Sequence, residues 1–217
     1  MDLQVLKAAY RFGVLALLLS SIIACNSKQP HLPYYNTADF TPLWTEEGMG
    51  TDTLHRIADF SFTDQDGKVV NNESFKAKVY IANFFFTSCP SICPKMMRNM
   101  KRLTDSFKKD ENIKFISHSV TPEIDSVKRL QTYAERMHID ERQWHLVTGN
   151  KSQIYELARR SYFAEENIGF NKDSTEFLHT EHFLLIDKDG HLRGVYNGTL
   201  DLDIERLKQD IHTLLKE

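Results

Sequence analysis

The chain of 217 residues has few cysteines, no excess of positive charge and no glycine-rich phosphate loop. Three cysteines are too few for a small scaffold held together by disulfides. A net charge of −3, with the basic residues dispersed, provides no basic face for a nucleic-acid backbone. The D-G-K sequence at 66–68 lacks the upstream glycine that a P-loop requires. These absences argue against a nucleic-acid partner and against a P-loop nucleotide site.

The length and the hydrophobic content of 41% suit one well-packed domain with appendages. Short β-branched and aromatic runs, bounded by turn residues, predict strands at 57–62, 79–86, 113–120, 145–147, 183–187 and 192–196. Apolar residues at helical spacing predict helices at 91–109, 122–137, 151–162 and 202–215. The D-K-D-G sequence at 187–190 predicts the turn of a terminal hairpin. This alternation predicts a three-layer α/β sandwich, with helices flanking a central sheet.

The N-terminus has the layout of an export signal. Lys7 and Arg11 precede a short apolar core, Phe12 to Leu19, which is too short for a convincing membrane-spanning helix. The sequence I-I-A-C then ends at Cys25 and resembles the lipobox of bacterial lipoproteins, in which the signal is cut before a diacylated cysteine. The alternative is an uncleaved membrane anchor with an incidental cysteine. Both interpretations predict a chain tethered to a membrane on its extracytoplasmic side.

The composition of the segment after Cys25 predicts a spacer. Residues 26–50 contain three of the six prolines and no sustained periodicity, whereas their aromatic residues favour partial contact with the domain. We therefore expect a signal peptide at 1–24, a lipidated cysteine and spacer at 25–50, and a folded domain at 51–217.

Two cysteines, Cys89 and Cys93, follow the apolar run that ends at Phe86, where a strand gives way to a helix. Free N–H groups at a helix start favour negative charge and make thiolates easier to form. A spacing of four brings the side chains within reach of each other or of one shared ion. Pro90 and Pro94 stiffen this turn. The pattern fits a disulfide switch or a metal clamp better than a pair of inert buried thiols.

Two thiolates suit Cu(I) or Zn(II) but leave the metal in need of a third donor, for which histidine is the natural supplement. The chain has nine histidines, so proximity in sequence cannot select one. In an α/β sheet, sites gather at strand ends, which makes the loop F-L-H-T-E-H before the 183–187 strand a candidate neighbour of the cysteines. His182 stands at the strand entrance and His179 lies three residues earlier. Taken alone, His182 is more typical of a structural histidine.

Several ordered motifs resemble the Sco/SenC family of thioredoxin-fold copper proteins. They are A-D-F-S-F-T-D-Q-D-G-K at 58–68, C-P-S-I-C-P at 89–94, S-V-T-P-E-I-D at 119–125, W-H-L-V-T-G-N at 144–150 and E-H-F-L-L-I-D-K-D-G at 181–190. The resemblance implies a thioredoxin-like fold with a central mixed sheet and an N-terminal hairpin. Carried over residue by residue, it also implies that Cys89, Cys93 and His182 bind copper. His179 is a weaker ligand candidate, better interpreted as a loop residue or as a group that supports a ligand.

The same resemblance implies delivery of Cu(I) to the dinuclear copper centre of cytochrome c oxidase, in the cell envelope of a bacterium. The partner is then the copper-accepting oxidase subunit or another envelope cuproprotein. The alternative is a thiol–disulfide oxidoreductase that uses Cys89 and Cys93 as its redox pair. Thioredoxin-like oxidoreductases place a proline opposite their cysteines, whereas this chain has none beyond Pro122. This difference favours copper. A structural lipoprotein without this chemistry is a third possibility.

One departure from the family pattern concerns carboxylates. Thr121 stands where the pattern S-V-D-P-x-x-D has its first aspartate, which puts a carboxylate role there in doubt. Asp125 keeps the second position, and we expect it to be a first-turn residue that favours the helix N-terminus. We further expect His118 to be a sheet-face residue. Met96, Met97 and Met100 are expected to pack in the core rather than bind copper.

Overall fold

The computed structural model describes residues 31–45, 50–164 and 180–217. The predicted signal peptide, Cys25 and His179 lie outside the described residues. From Leu32 onwards the chain forms one compact unit. Within the described ranges, no helix combines the length and the apolar character needed to cross a membrane.

A seven-stranded mixed sheet forms the centre of the fold, in the order β4-β3-β7-β6-β5-β8-β9. Its strands are β3 (Ser61–Asp64), β4 (Val69–Asn71), β5 (Val79–Phe85), β6 (Ile113–Ser119), β7 (Trp144–Thr148), β8 (His182–Ile186) and β9 (Leu192–Asn197). The three middle strands β5, β6 and β7 are parallel, whereas β3, β4, β8 and β9 pair antiparallel. Two further short strands, β1 (Tyr34–Tyr35) and β2 (Pro42–Leu43), pair with each other outside this sheet.

Helices cover both faces of the sheet, which confirms the predicted sandwich. They are α1 (Cys93–Ser106), α2 (Val127–Met137), α3 (Lys151–Glu156) and α4 (Asp201–Leu214). Apolar residues of α1, α2 and α4 pack in one core cluster, which also contains Phe183 and Leu185 of β8. The second cluster joins α3 to the other face, which carries Leu184 and Ile186. Burying each large aliphatic side chain stabilises the fold by about 1.5–3 kcal/mol.

The first predicted strand is shifted, and this part of the prediction was wrong. Regular pairing begins at Ser61 rather than at Ile57. Side chains take up the backbone donors that a strand would use: the Ala58 N–H donates to Ser161 Oγ at 2.7 Å, and the Phe60 N–H donates to Asn72 Oδ1 at 2.8 Å.

The start of the second helix differs from its prediction more than the starts of the other helices do. The second helix begins at Val127 instead of Pro122, because the Ser126 hydroxyl caps it by accepting from the Arg129 N–H at 3.4 Å. Residues 121–125 form a turn instead, in which the N–H groups of Ile124 and Asp125 both donate to the Thr121 carbonyl at 2.8 Å. The third helix changes to π-helical geometry over Leu157–Ser161.

The N-terminal segment of residues 32–45 lies against the outer edge of the sheet, in line with the domain contact that its aromatic residues suggested. Arg193 of β9 donates to the carbonyls of Leu32 and Pro33, at 2.6 and 3.1 Å. Its guanidinium also lies 4.0 Å from the centre of the Tyr34 ring. This part of the chain is therefore fixed to the domain.

The ends of several strands meet at one edge of the sheet. The parallel strands β5 and β6 both end there, and the antiparallel neighbour β8 begins there, as its register with β5 shows. Because β9 runs antiparallel to β8, β9 also ends at this edge. We call it the carboxyl edge of the sheet.

Candidate metal and thiol site

The two cysteines lie at the carboxyl edge, on the turn between β5 and α1. Cys93 is the first residue of α1, and Pro94 follows it in the first turn, where its missing N–H costs no helical hydrogen bond. The Cys89 N–H donates to the Phe86 carbonyl at 3.3 Å and closes the turn. Both side chains are free thiols and are buried, with exposed fractions of 8% and 5%.

The pKa values of the two thiols are shifted in opposite directions. Burial raises the pKa of Cys89, but hydrogen bonds from the backbone N–H groups of Ser91, Cys93 and Ile92 and from the Cys93 thiol outweigh it, so that its pKa is lowered. Burial raises the pKa of Cys93 to about 12, and the adjoining Cys89 adds to this. Cys89 is therefore the sulfur that ionises first, with the Cys93 thiol as its hydrogen-bond donor.

The buried carboxylate of Asp125 fixes the chain at Thr87, just before the cysteine turn. Asp125 is fully buried and accepts hydrogen bonds from the Thr87 N–H at 3.1 Å, the Ser119 hydroxyl at 2.7 Å and the Thr121 hydroxyl at 3.2 Å. The Thr87 hydroxyl also donates to it. Arg129 Nε lies 3.5 Å from the carboxylate and donates to Thr87 Oγ1 at 2.6 Å.

The expectation for Asp125 was therefore wrong. It lies two residues before α2 rather than in its first turn. Its carboxylate is directed at the strand ends and at Thr87, two residues before Cys89. Thr121, which replaces the first aspartate of the pattern, is one of its donors. The sequence offered one signal for this network, the run of hydroxyl residues at the ends of two neighbouring strands.

His182 reaches the carboxyl edge as predicted, as the first residue of β8. Strand alternation, however, sets it with Leu184 and Ile186 of the second core cluster, whereas the cysteines belong to the first cluster. Its ring makes an edge contact with the ring of Phe40, at 5.7 Å between centroids. Phe40 belongs to the docked N-terminal segment.

The described residues do not bring three ligands together. Within residues 31–45, 50–164 and 180–217, no group of three or more His, Cys, Asp or Glu side chains is arranged to hold a metal ion. The contact between the two thiols is present, and the histidine donor is not in place beside them. The thiol pair is nevertheless the soft, low-coordinate donor set that Cu(I) prefers.

The family model for SCO1/SenC matches residues 49–216 of the chain. The protein belongs to the SCO1/SenC family. Among curated proteins, this family member is 33% identical to the SCO1 protein homolog of Bacillus subtilis (strain 168) over 159 residues. That match covers 72% of this chain and 81% of the relative.

Solved structures of the family share the fold. A SCO1/SenC family lipoprotein from Bacillus anthracis superposes with a TM-score of 0.64 at 28% identity, over 74% of this chain and 95% of that one. BsSco, described as a cytochrome c oxidase assembly protein with a disulfide switch, gives 0.61 at 29%, over 77% and 98%. Copper-bound ScoI of Bradyrhizobium japonicum gives 0.58 at 24%, over 72% and 98%. The predicted thioredoxin-like fold, with β3 and β4 as its opening hairpin, is thus confirmed.

Two further sets of residues remain outside the thiol site of this SCO1/SenC protein. Met96, Met97 and Met100 are fully buried in the first core cluster, as expected of core packing. His118 on β6 is also fully buried, and neither ring nitrogen has a hydrogen-bond partner among the described residues. It belongs to the sheet face that carries the second cluster, where aromatic rings surround it.

Proposed function

We propose that this protein binds one Cu(I) through Cys89 and Cys93 with a histidine as third donor, and delivers it to the dinuclear copper centre of cytochrome c oxidase. The observation that carries the proposal is the contact between two free thiols at a helix start, in a chain of the SCO1/SenC family. Support comes from the copper held by the Bradyrhizobium protein and from the oxidase-assembly role given to BsSco.

The chemistry of the pair suits transient metal binding. Cys89 supplies the first thiolate, and Cys93 must lose its proton when the metal binds, because a metal ligates thiolate rather than thiol. Cu(I) accepts low coordination numbers and soft donors. An incoming thiolate of an acceptor protein can therefore replace one ligand at a time. Binding through Cys93 releases a proton, so the affinity rises with pH.

His182 remains our proposed third donor, and its position defines what the proposal requires. Copper binding through His182 requires its ring to leave Phe40 and turn towards the face that carries the cysteines. His179, in the same segment of sequence, is the competing candidate. The thiolate pair is common to both assignments, so the two histidines can be tested in parallel.

A competitive Cu(I) titration of the reduced full-length protein in detergent tests the proposal. We expect about one Cu(I) per chain and at least a tenfold loss of affinity, roughly 1.4 kcal/mol, in Cys89→Ser, Cys93→Ser and His182→Ala. His212→Ala, a change at an exposed position of α4, is the matched control. Loss confined to His179→Ala would reassign the third donor. Wild-type affinity in both cysteine variants would overturn copper binding at this site.

A second function, thiol–disulfide exchange, is favoured by the opposite pKa shifts of the two cysteines. The Cys89 thiolate attacks a partner disulfide, forms a mixed disulfide and releases one partner thiolate. Cys93 then attacks Cys89, which gives the Cys89–Cys93 disulfide and releases the second partner thiol. Two electrons pass to the partner, so a reductant must regenerate the pair.

Trapping distinguishes this function from copper delivery. With the oxidised copper-accepting domain as substrate, exchange predicts that Cys93→Ser accumulates a mixed disulfide through Cys89. Cys89→Ser should accumulate none. Absence of any mixed disulfide, together with unchanged thiol counts in the acceptor, would exclude this second function for that partner.

We also propose that Cys25 carries the lipid anchor and holds the domain on the extracytoplasmic side of a membrane. The lipobox-like sequence and the lipoprotein nature of the Bacillus anthracis neighbour support this. In Cys25→Ser, the protein should leave the lipid-anchored membrane fraction or remain unprocessed with its signal attached. Normal processing and retention on the membrane would contradict lipidation at Cys25.

A further inference from the structure

Half of the exposed large apolar side chains lie at or next to the carboxyl edge, which also carries the cysteine turn. Six large hydrophobic side chains are exposed within the described ranges, and three of them, Ile124, Leu200 and Leu202, have exposed fractions of 47%, 51% and 75%. Ile124 and Leu200 lie on loops at the carboxyl edge, and Leu202 lies in the first turn of α4, directly after the loop that carries Leu200. The remaining three are Leu43 and Trp44, in the N-terminal segment, and Val69, on the far edge strand β4.

The strand order places these side chains on both sides of the cysteines. Ile124 follows β6 and immediately precedes Asp125, which holds the cysteine turn. Leu200 and Leu202 follow β9, two strands away on the other side. From β6 to β9 is three strand spacings, or about 14 Å. That span fits within one side of a standard protein interface, which covers about 800 Å².

Packing fixes the loop between β9 and α4, which carries Leu200 and leads into Leu202, against α1 and the entrance of β8. Gly198 accepts a hydrogen bond from Asn99 of α1 at 2.9 Å, and its N–H donates to the Glu181 carbonyl at 2.7 Å. A Cβ at Gly198 would lie 2.6 Å from the Phe183 ring, so only glycine allows this approach. Leu200 and Leu202 are therefore exposed although the loop before α4 is firmly held.

Among the described residues at this edge, the acidic side chains have partners, whereas two cations have no ion pair. The acidic side chains there have partners: Glu123 pairs with Lys151 at 3.2 Å, Asp201 with Arg102 at 2.7 Å, and Glu181 accepts from the Asn197 amide at 2.6 Å. Lys95 and Arg98 are exposed on the first two turns of α1, and no ion pair involves them within the described ranges.

We propose that Ile124, Leu200 and Leu202, together with Lys95 and Arg98, form the docking surface for the copper-accepting domain. This inference rests on the proposed function, because an acceptor must bring its own ligands to the cysteine turn that the surface encloses. The chemistry predicts the matching surface: an apolar spot beside the acceptor's metal ligands, ringed by carboxylates that meet Lys95 and Arg98. The apolar contacts supply affinity, and the two cations raise the association rate.

Copper transfer and direct binding test the proposal together. The full-length protein, loaded with Cu(I) in detergent, is mixed with the purified apo copper domain of the oxidase subunit, and the copper content of that domain is followed after rapid separation. We expect the double variant Leu200→Ser/Leu202→Ser to bind the domain about tenfold more weakly, with Ile124→Ser weakened less. Val69→Ser is the matched control, since Val69 has an exposed fraction of 66% on the far edge.

The role of the two cations is tested by measuring the association rate at low and high salt concentration. Lys95→Glu/Arg98→Glu should slow association by about tenfold at low ionic strength and much less at 0.5 M salt, where exposed charges are screened. Copper affinity should match the wild type in every surface variant. Wild-type binding and transfer in the leucine and charge variants would overturn the surface but leave copper delivery standing. A wild-type protein that holds copper but neither binds nor loads the acceptor would overturn both.

Discussion

At the scale of single residues, Asp125 connects the local structure of two strand ends to the cysteine turn. Its carboxylate is fully buried and satisfied by hydroxyl and N–H donors from three positions, with Arg129 as its counter-charge. A buried charge is tolerated only with such partners. Because Thr87 is one of them, the carboxylate fixes where β5 stops and the turn to Cys89 begins.

Asp125→Ala should destabilise the protein by about 3 kcal/mol, because it leaves buried donors without an acceptor. Urea unfolding measures this. Asp105→Ala, at an exposed carboxylate of α1 that pairs with Lys101, should cost less than about 1 kcal/mol. A loss at Asp125 as small as the loss at Asp105 would contradict the role of the carboxylate.

His118 presents the opposite case, a buried polar ring that has no hydrogen-bond partner in the part of the chain that the structure describes. Its ring stacks on Phe84 at 5.1 Å and lies within 6 Å of the rings of Phe60, Phe62 and Tyr162. Burial lowers the pKa of His118 to about 3. The only titratable group among these rings is the Tyr162 phenol, whose pKa burial raises well above 10.

The sign of the resulting pH dependence follows from linkage. In the unfolded chain, His118 is protonated below about pH 6.5. In the folded chain, its pKa is about 3, so it stays neutral between about pH 6.5 and pH 3. The contribution of His118 therefore lowers the free energy of unfolding as the pH falls through this window, by about 1.4 kcal/mol per pH unit. His118→Phe and His118→Gln should both remove this slope, whatever their effect at pH 7. Urea unfolding between pH 7 and 4.5 tests it. The partly buried His145, whose pKa burial also lowers, keeps its own slope in both variants, so a slope as steep as that of the wild type in both variants would contradict the assignment.

At the scale of elements, Arg193 joins three parts of the chain. Besides its bonds to Leu32 and Pro33, it pairs with Asp187 at 3.0 Å and with Glu217 at 2.9 Å. It is almost fully buried. The segment that sequence alone describes as a spacer is thus attached to β9 and to the C-terminus.

Arg193→Met should free this segment and leave Asp187 without its charge partner, at a cost of about 3 kcal/mol. Amide hydrogen exchange in peptides covering 31–45 should become much faster than in the wild type. Arg142→Met removes an exposed pair with Asp140 and is the control. Unchanged protection of residues 31–45 in Arg193→Met would show that the segment is held by other contacts.

The sequence predicted those elements whose pattern is local. The continuous apolar run of β5 and the amphipathic face of α4 needed no tertiary information, and both were found close to their predicted bounds. The first strand and the start of α2 were misplaced because distant side chains decide them. Ser161 and Asn72 take the N–H groups of residues 58 and 60, and a turn anchored by Asp125 replaces the first turn of α2.

At the scale of the whole molecule, the proposed copper site combines residues about ninety positions apart in sequence. The spacing of the cysteines and their place at a helix start were readable from the sequence. Which histidine could join them as a copper ligand was not readable, because strand alternation decides the face that a side chain occupies. The structure brings His182 to the correct edge and sets it beside Phe40. The proposed docking surface could not be predicted from the sequence either, since its residues are far apart along the chain and are brought to one edge only by the strand order.

The central claim is that Cu(I) is held by the sulfurs of Cys89 and Cys93 together with one imidazole. X-ray absorption at the copper edge of the Cu(I)-loaded, reduced protein tests it most directly, with His182→Ala and His179→Ala measured beside the wild type. We predict two sulfur ligands and one nitrogen in the wild type, with the nitrogen lost in His182→Ala and kept in His179→Ala. A spectrum without two sulfur ligands, or a nitrogen signal that survives both substitutions, would contradict the proposed metal site.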